Sequence, residues 1–543
     1  MMPRTQSSCL LHNGRIYRNA NDTRPADAIL VEGSEIRWVG SKQDAPHANA
    51  VIDAGGATIL PGLTDAHVHL FAIANASLQL DASQADTISS ILAEIAERAK
   101  FTPAGQWVQV AGFDENRLKD RRYPTREELD AASPDHPVVI RRFCGHVAIV
   151  NSAALGSLGI PSNARDPEGG SFGRSTDGTL DGSASEAAAE LIFGLIPPFR
   201  SVDLQKALLA AMRTCNSLGI TAAVEAAVGF TSGFDAEYAI WSDLRKSTPT
   251  LPLRLGFMLQ LEPDEAAKRG LRPLEEADWQ QNTLKFFSDG IVGARTAAMF
   301  EPYEDTGTAG LFIRPEAELE RLLLQADEAG WRIAVHSAGD RSTSKILDIY
   351  EKAAALNPRS DPRHRIEHFF CPPQDGYARM VKLGALLVMQ PGFLTRMRDS
   401  FMPAFGSRIE GMYPGKSAIE AGVAYVASSD APTGYLSPWV GVADAMDRGA
   451  TRGSPVGLQE ALTAREAIGA YIHGGAYAMK HEGWRGELKP GMAADLVVLD
   501  RDPLQLPPRE VRETRTLMTM IRGAIAYDAQ GLGAASDLAQ TVS

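Results

Sequence analysis

Cysteine is scarce in this chain. Its 543 residues hold four, Cys9, Cys144, Cys215 and Cys371, widely scattered and never in a C-x-x-C pair. That distribution argues against a disulfide framework and a cysteine-based zinc cluster. Long apolar runs are missing too. No stretch approaches the roughly 18 apolar residues of a membrane-spanning helix, and the opening MMPRTQSSCLLHNGRIY lacks the apolar core of a signal peptide. These absences predict a cytoplasmic protein with no membrane partner. Positive charge is outweighed, with 54 Lys and Arg against 67 Asp and Glu and a net charge of −13. A basic surface for phosphate contacts is therefore not expected, nor is a nucleic-acid partner. What remains is 44% hydrophobic and 22% charged, the composition of a globular chain long enough to bury a large core. A small-molecule ligand is the partner left by these exclusions. No coiled-coil heptad suggests a subunit count, and a homodimer is the default expectation.

The two ends of the chain share a texture of short strand-like runs. Near the start these are Leu10-Leu11, Arg15-Ile16-Tyr17, Ala28–Val31, Glu35–Val39 and Ala50–Ile52, separated by Asn13-Gly14, Glu32-Gly33 and Gly55-Gly56, pairs suited to tight turns. Near the end they are Ala494–Leu499, Leu517–Ile521 and Ala526-Tyr527. Neither set builds a good sheet core alone, so residues 1–60 and about 484–530 are expected to pair into one small β-sandwich domain, with 531–543 a loose tail.

Between them, in residues 61–483, eight strand candidates alternate with helical stretches: Ile59–Ala66, Thr221–Ala226, Leu253–Leu259, Thr283–Phe287, Arg332–His336, Arg365–His368, Leu386–Gln390 and Ala424–Ser428. The helical stretches include Leu204–Leu218, Glu316–Ala329, Ser342–Ala355, Pro373–Leu383 and Ser417–Ala421. The pattern is that of an α/β fold, a (β/α)8 TIM-like barrel; a doubly wound sheet is the alternative, disfavoured by the chemistry below. The gap after the first strand is too long for a βα loop. Residues 72–215 are read as a large insertion with strand-like runs Trp107–Val110 and Val138–Phe143, followed by a Gly- and Ser-rich part, Gly169–Ser185, expected to be a mobile loop or plain surface.

The chain has 11 histidines, four of them at or near predicted strand ends. His67 and His69, two apart on an extended backbone, project to one side and can reach one ion. His336 and His368 each end a strand candidate, and Asp430 follows the last one. Strand ends at one face of a barrel converge, so these residues can share a site. Singly, each has an ordinary structural explanation; their joint placement points to a metal. Nitrogen and oxygen donors of this kind suit Zn²⁺ best, one ion or two, with Mn²⁺, Fe²⁺, Co²⁺ and Ni²⁺ as alternatives. Lys285 lies in an apolar strand where an unpaired ammonium is costly. A buried salt bridge explains it as well as reaction with CO₂ to a metal-bridging carbamate, N6-carboxylysine. The chemistry implied is hydrolysis by a metal-activated water, with Asp430 taking its proton and later passing it to the leaving group.

Pro61-Gly62-Leu63-Thr64-Asp65-Ala66-His67-Val68-His69 resembles the first-strand motif of the metal-dependent amidohydrolase superfamily, and more narrowly its amidohydrolase-3 (YtcJ-like) branch. Lys285–Gly290, His336–Arg341, Arg365–His368, Ser429-Asp430 and the closing segment Gly486–Leu499 are similar to the same branch. The resemblance implies that His67 and His69 hold the more buried ion with Asp430, which is also the general base. It implies that His336 and His368 hold a second ion and that a carboxylated Lys285 bridges the two. It further implies hydrolysis of a non-peptide C–N bond, amide or N-acyl or N-formyl, of a small molecule. An ester, lactone or carbamate hydrolase would carry the same ligands, and a non-catalytic binding protein would be expected to have lost some of them. Candidates for the substrate shell are His146, Asp289, Arg295, Asp114 and Phe113. The apolar candidates Phe71, Phe113, Trp439 and Phe393 suggest an amide with an apolar or aromatic part.

Overall fold

The structure, a computed structural model, describes residues 8–533, so the predicted tail lies almost wholly outside the described residues. Eight parallel strands form its centre: β1 (Leu63–Val68), β2 (Ile220–Val228), β3 (Arg254–Leu259), β4 (Trp279–Phe287), β5 (Arg332–Ser337), β6 (Arg365–His368), β7 (Leu386–Met389) and β8 (Ala424–Ala427). They hydrogen-bond in sequence order from β1 to β8. Most of their residues are buried, as helix-covered parallel strands require. The edges β1 and β8 meet just beyond their ends. Asp430 N–H donates to His67 O at 2.8 Å and His69 N–H to Ala431 O at 2.9 Å, so the barrel seam is fastened where the candidate ligands stand. Behind the seam runs the last barrel helix, which passes through a π-helical turn at Ala470–Gly474. A Cβ on Gly475 would come within 2.4 Å of Thr64 and one on Gly474 within 2.8 Å of the Tyr425 carbonyl, so only glycine permits this approach.

All eight predicted strands are present, with one correction. The run expected at Ile59–Ala66 is two strands: Thr58–Pro61 belongs to the terminal domain and pairs with Leu496–Leu499, and β1 starts at Leu63. Gly62 makes the junction, donating to Asp495 O, in a place where a Cβ would overlap the Thr221 side chain.

The two ends of the chain share one sheet. Seven of its strands hydrogen-bond in one path, with Ala50–Asp53 pairing off it onto Ser8–Ile16, and Glu35 on one edge strand bridges to Ala493, just before Leu496–Leu499. Cys9, Leu11, Ile29 and Ile59 from the first segment and Leu496, Met518 and Met520 from the last share one core. Asn13-Gly14 does not separate two strands as predicted. Asn13, at φ 56°, sits in a bulge within Ser8–Ile16, across which this strand exchanges one parallel partner, Ala50–Asp53, for another, Thr58–Pro61.

Residues 72–208 form a second compact unit. Its six-stranded sheet runs Gly170–Arg174, Leu180–Glu186, Val147–Val150, Val138–Arg142, Val108–Phe113, Leu80–Asp81. Alternate residues feed two cores: Val108, Val110, Val138 and Ile140 enter one, Val139, Ala148, Val150 and Phe172 the other. The Gly/Ser-rich part, expected to be loop or surface, is the hairpin Gly170–Arg174/Leu180–Glu186. Its small residues escaped the strand pattern because few of them carry a large apolar side chain. Among the described residues no helix is long and apolar enough to cross a membrane.

Candidate metal centre at the strand ends

His67 in β1, Lys285 in β4, His336 in β5, His368 at the end of β6 and Asp430 just after β8 are all buried. Ligand atoms of His67, His368 and Asp430 lie within 4.8 Å of one another. Asp430 Oδ1 is 3.1 Å from His69 Nε2 and 3.4 Å from His67 Nε2. The His368 ring lies 5.0 Å from that of His67 and 4.5 Å from that of His336. Two of the ligand candidates stand on unusual backbone: His368 has φ 79° and Asp430 φ 52°, a region that residues with side chains seldom adopt.

Three of the four imidazoles have a group that orients them. His67 Nδ1 is 2.7 Å from Glu367 Oε2, and His368 Nδ1 is 2.8 Å from Gln390 Oε1. Both partners are acceptors at those atoms, so each ring donates from Nδ1. His336 Nε2 donates to Gly290 O at 2.9 Å. Burial, with the neighbouring Lys285, pushes His336 down to about 4 and keeps it neutral. Burial also brings Lys285 down to about 8, against the pull of Glu367 and Asp430. Its ammonium has no ion pair within 4 Å among the described residues; the nearest aromatic face is Phe287, 5.2 Å away. Burial alone would raise the Asp430 carboxyl, but the imidazoles of His67 and His69 hold it well below the usual carboxylate range.

Asp430 Oδ1 is buried and has no hydrogen-bond partner, although imidazole nitrogens crowd it. A buried, unpartnered carboxylate oxygen is costly unless something positive belongs there. The nitrogen and oxygen donors around it make a set that fits a divalent transition metal.

The substrate-shell candidates fall in different settings. Asp289 is buried and accepts from the backbone N–H groups of Ala298, Ala338 and Gly339, tying the loops after β4 and β5 together. Its carboxyl is pushed up to about 7 by burial, against those N–H groups. Arg295 directs its guanidinium to Asp305 and to the carbonyls of Val292 and Gly293 within its own loop. The others lie in the inserted unit. There Phe113 is fully buried in a core beside Tyr123, Asp114 accepts from Asn116 N–H, and His146 is exposed with Nδ1 3.0 Å from Glu186. Of the apolar candidates, Phe71 and Trp439 are core residues, and only Phe393 lies near a site imidazole, 6.4 Å from His368. The aromatic residues beside the site include Phe230, 5.3 Å from His69, and Phe287, 5.5 Å from His336. Phe230 stacks on Phe287 at 6.0 Å and is 57% exposed.

Sequence reasoning missed Glu367, Gln390 and Phe230. Glu367 stands inside the Arg365–His368 run, and its contact with His67, 300 residues away, becomes visible only in the folded chain. Gln390 could have been suspected from its position at a strand end, the signal that exposed the histidines.

Comparison with known proteins gives the family. The chain is 30% identical over 528 residues to the putative amidohydrolase YtcJ of Bacillus subtilis (strain 168), covering 95% of this chain and 99% of that protein. It is 30% identical over 525 residues to the N-substituted formamide deformylase of Arthrobacter pascens, covering 93% and 96%. An uncharacterised metal-dependent hydrolase from Pyrococcus furiosus superposes with TM-score 0.74 at 25% identity, over 92% of this chain and all of that one. A second, from Pyrococcus horikoshii OT3, shares the fold with TM-score 0.75 at 24% identity, covering 93% and 99%. Residues 50–527 match the amidohydrolase family as a whole, and the chain, a hydrolase on a barrel scaffold, belongs to that family.

Proposed function

We propose that the protein is a metal-dependent amidohydrolase that cleaves a non-peptide C–N bond of a small molecule, an amide or an N-acyl or N-formyl amine. The observation that carries the reading is the buried, unpartnered Oδ1 of Asp430 among three imidazoles. His67, His69 and Asp430 would hold one ion, and His336 and His368 a second. Lys285, buried and without an ion pair among the described residues, would join them as a carbamate. Zn²⁺ suits the donors best, and when bound it would acidify a water and polarise the scissile carbonyl. Asp430 takes the proton of the attacking water and returns it to the leaving nitrogen, which would otherwise depart as a poor leaving group. The deformylase likeness supports a C–N bond as the target. Phe230, exposed beside His69, offers a face to an apolar part of the substrate. A cytoplasmic setting and a homodimer complete the proposal.

The test is elemental analysis of protein purified without chelator, together with turnover of matched amides, N-formyl amines and esters. Bound zinc with faster cleavage of the C–N substrates supports the reading. Much faster cleavage of esters would replace it with an esterase. A protein that holds no metal and cannot be reconstituted would sink it.

A further inference from the structure

Glu367 is fully buried and belongs to neither the ligand set nor the proton path. Both of its oxygens are engaged. Oε1 accepts from Arg365 Nε at 2.6 Å, and Oε2 accepts from Arg365 Nη2 at 3.0 Å and lies 2.7 Å from His67 Nδ1. Arg365, fully buried as well, also donates from Nη2 to Ala66 O, the carbonyl of the residue preceding His67. A guanidinium is always charged, so its fork keeps Glu367 an acceptor at both oxygens. The side chains of β6 thus grip β1 twice across the barrel, once on the His67 ring and once on the backbone beside it.

We propose that Glu367 is a positioning residue that, held by Arg365, fixes the proton of His67 on Nδ1 and so presents Nε2 to the ion. An imidazole has two tautomers, and only the one with a lone pair on Nε2 can donate from the nitrogen that faces Asp430. Without Glu367 the His67 ring would exchange tautomers and rotate, and the ion would lose a preorganised donor. Glu367 also explains why His67 can be buried on the seam: its Nδ1–H has a partner there.

The inference rests on the metal reading, so its test has one arm that needs no metal. In metal-free protein with ¹⁵N-labelled histidine, the His67 signal, assigned by its loss in His67→Ala, should keep a proton on Nδ1 across the whole pH range, whether or not Nε2 carries one. Glu367→Gln, which retains an amide oxygen as acceptor, should largely keep that state. Glu367→Ala should give mixed tautomers. In the second arm, zinc affinity measured by chelator competition should fall about 10- to 100-fold in Glu367→Ala and clearly less in Glu367→Gln. A His67 protonated on Nε2 alone, or a Glu367→Ala protein with unchanged tautomer and zinc affinity, would overturn the proposal. If Glu367→Ala does not fold, the glutamine variant decides, because loss of the Nδ1 proton there counts against the proposal and its retention with a moderate loss of affinity counts for it. A wild-type protein that binds no zinc would defeat the metal reading while the tautomer still decides the role of Glu367.

Discussion

Two buried aspartates stand at opposite ends of the barrel and are treated differently. Asp495, at the end where the strands begin, receives Arg254 at 2.6 and 3.1 Å and the Arg522 N–H at 2.8 Å, so both of its oxygens are engaged. Around it the same habit continues: Gln280 donates to Met479 O, Arg485 to Thr64 and Arg363 to Glu482. Asp430, where the strands finish, has an oxygen with no partner among the described residues, and Lys285 nearby has no ion pair among them. Asp495 uses its charge to hold the structure together. Asp430 leaves one oxygen unengaged, which lowers stability unless a ligand arrives.

Substitutions can break that contrast. The largest effect is expected from Asp430→Asn, which should lower kcat by about 10³-fold or more while a metal remains bound and the melting temperature moves by no more than about 4 °C. Steady-state kinetics beside thermal unfolding checks it, and undiminished turnover would refute the base assignment. Asp495→Ala should do the reverse. Leaving Arg254 buried without its main partner should cost about 3 kcal/mol in urea unfolding, while activity per folded molecule holds. Lys285→Ala should lower metal content and reduce turnover about 10- to 100-fold, with partial recovery in short carboxylic acids that replace the carbamate. If metal content and rate both stay as they were, the bridging role falls. The smallest change is expected from His146→Ala, within about 0.5 kcal/mol in stability because the side chain is exposed. A higher KM at constant kcat in that variant would place His146 at the substrate; no change in either would remove it.

The eight barrel strands were legible because helix-covered parallel strands are apolar on both faces and stand out as short runs between helical stretches. The convergence of His67, His69, His336, His368 and Asp430 was legible for a related reason: each lies at or just past a strand end. What escaped depended on backbone geometry or on distant partners. The split at Gly62 is set by the Thr221 side chain, far along the chain. Glu367 was hidden because its partner, His67, is 300 residues away in the chain. For Asp289 and Arg295 the sequence left contact with substrate and an ion pair supporting the loop after the fourth strand equally open; their actual partners, backbone N–H groups in one case and Asp305 in the other, become visible only once the loops are folded. Phe71, Phe113 and Trp439 show the same limit: an aromatic residue near a motif in sequence may be deep in a core in space.

The fastening of β1 to β8 has a consequence for the order of events in synthesis. His67 emerges from the ribosome early, yet its carbonyl waits for the Asp430 N–H, and its imidazole for Glu367, made hundreds of residues later. At ordinary elongation speeds of about 5–20 residues per second, that interval is roughly 20–70 s. Throughout it His67 and His69 lack their carboxylate and their later histidines, and the terminal β domain lacks its last strands. The complete site therefore cannot capture its metal while the chain is still short. Loading is an event of the nearly finished polypeptide, and chains halted before Asp430 should be recovered without the high-affinity centre.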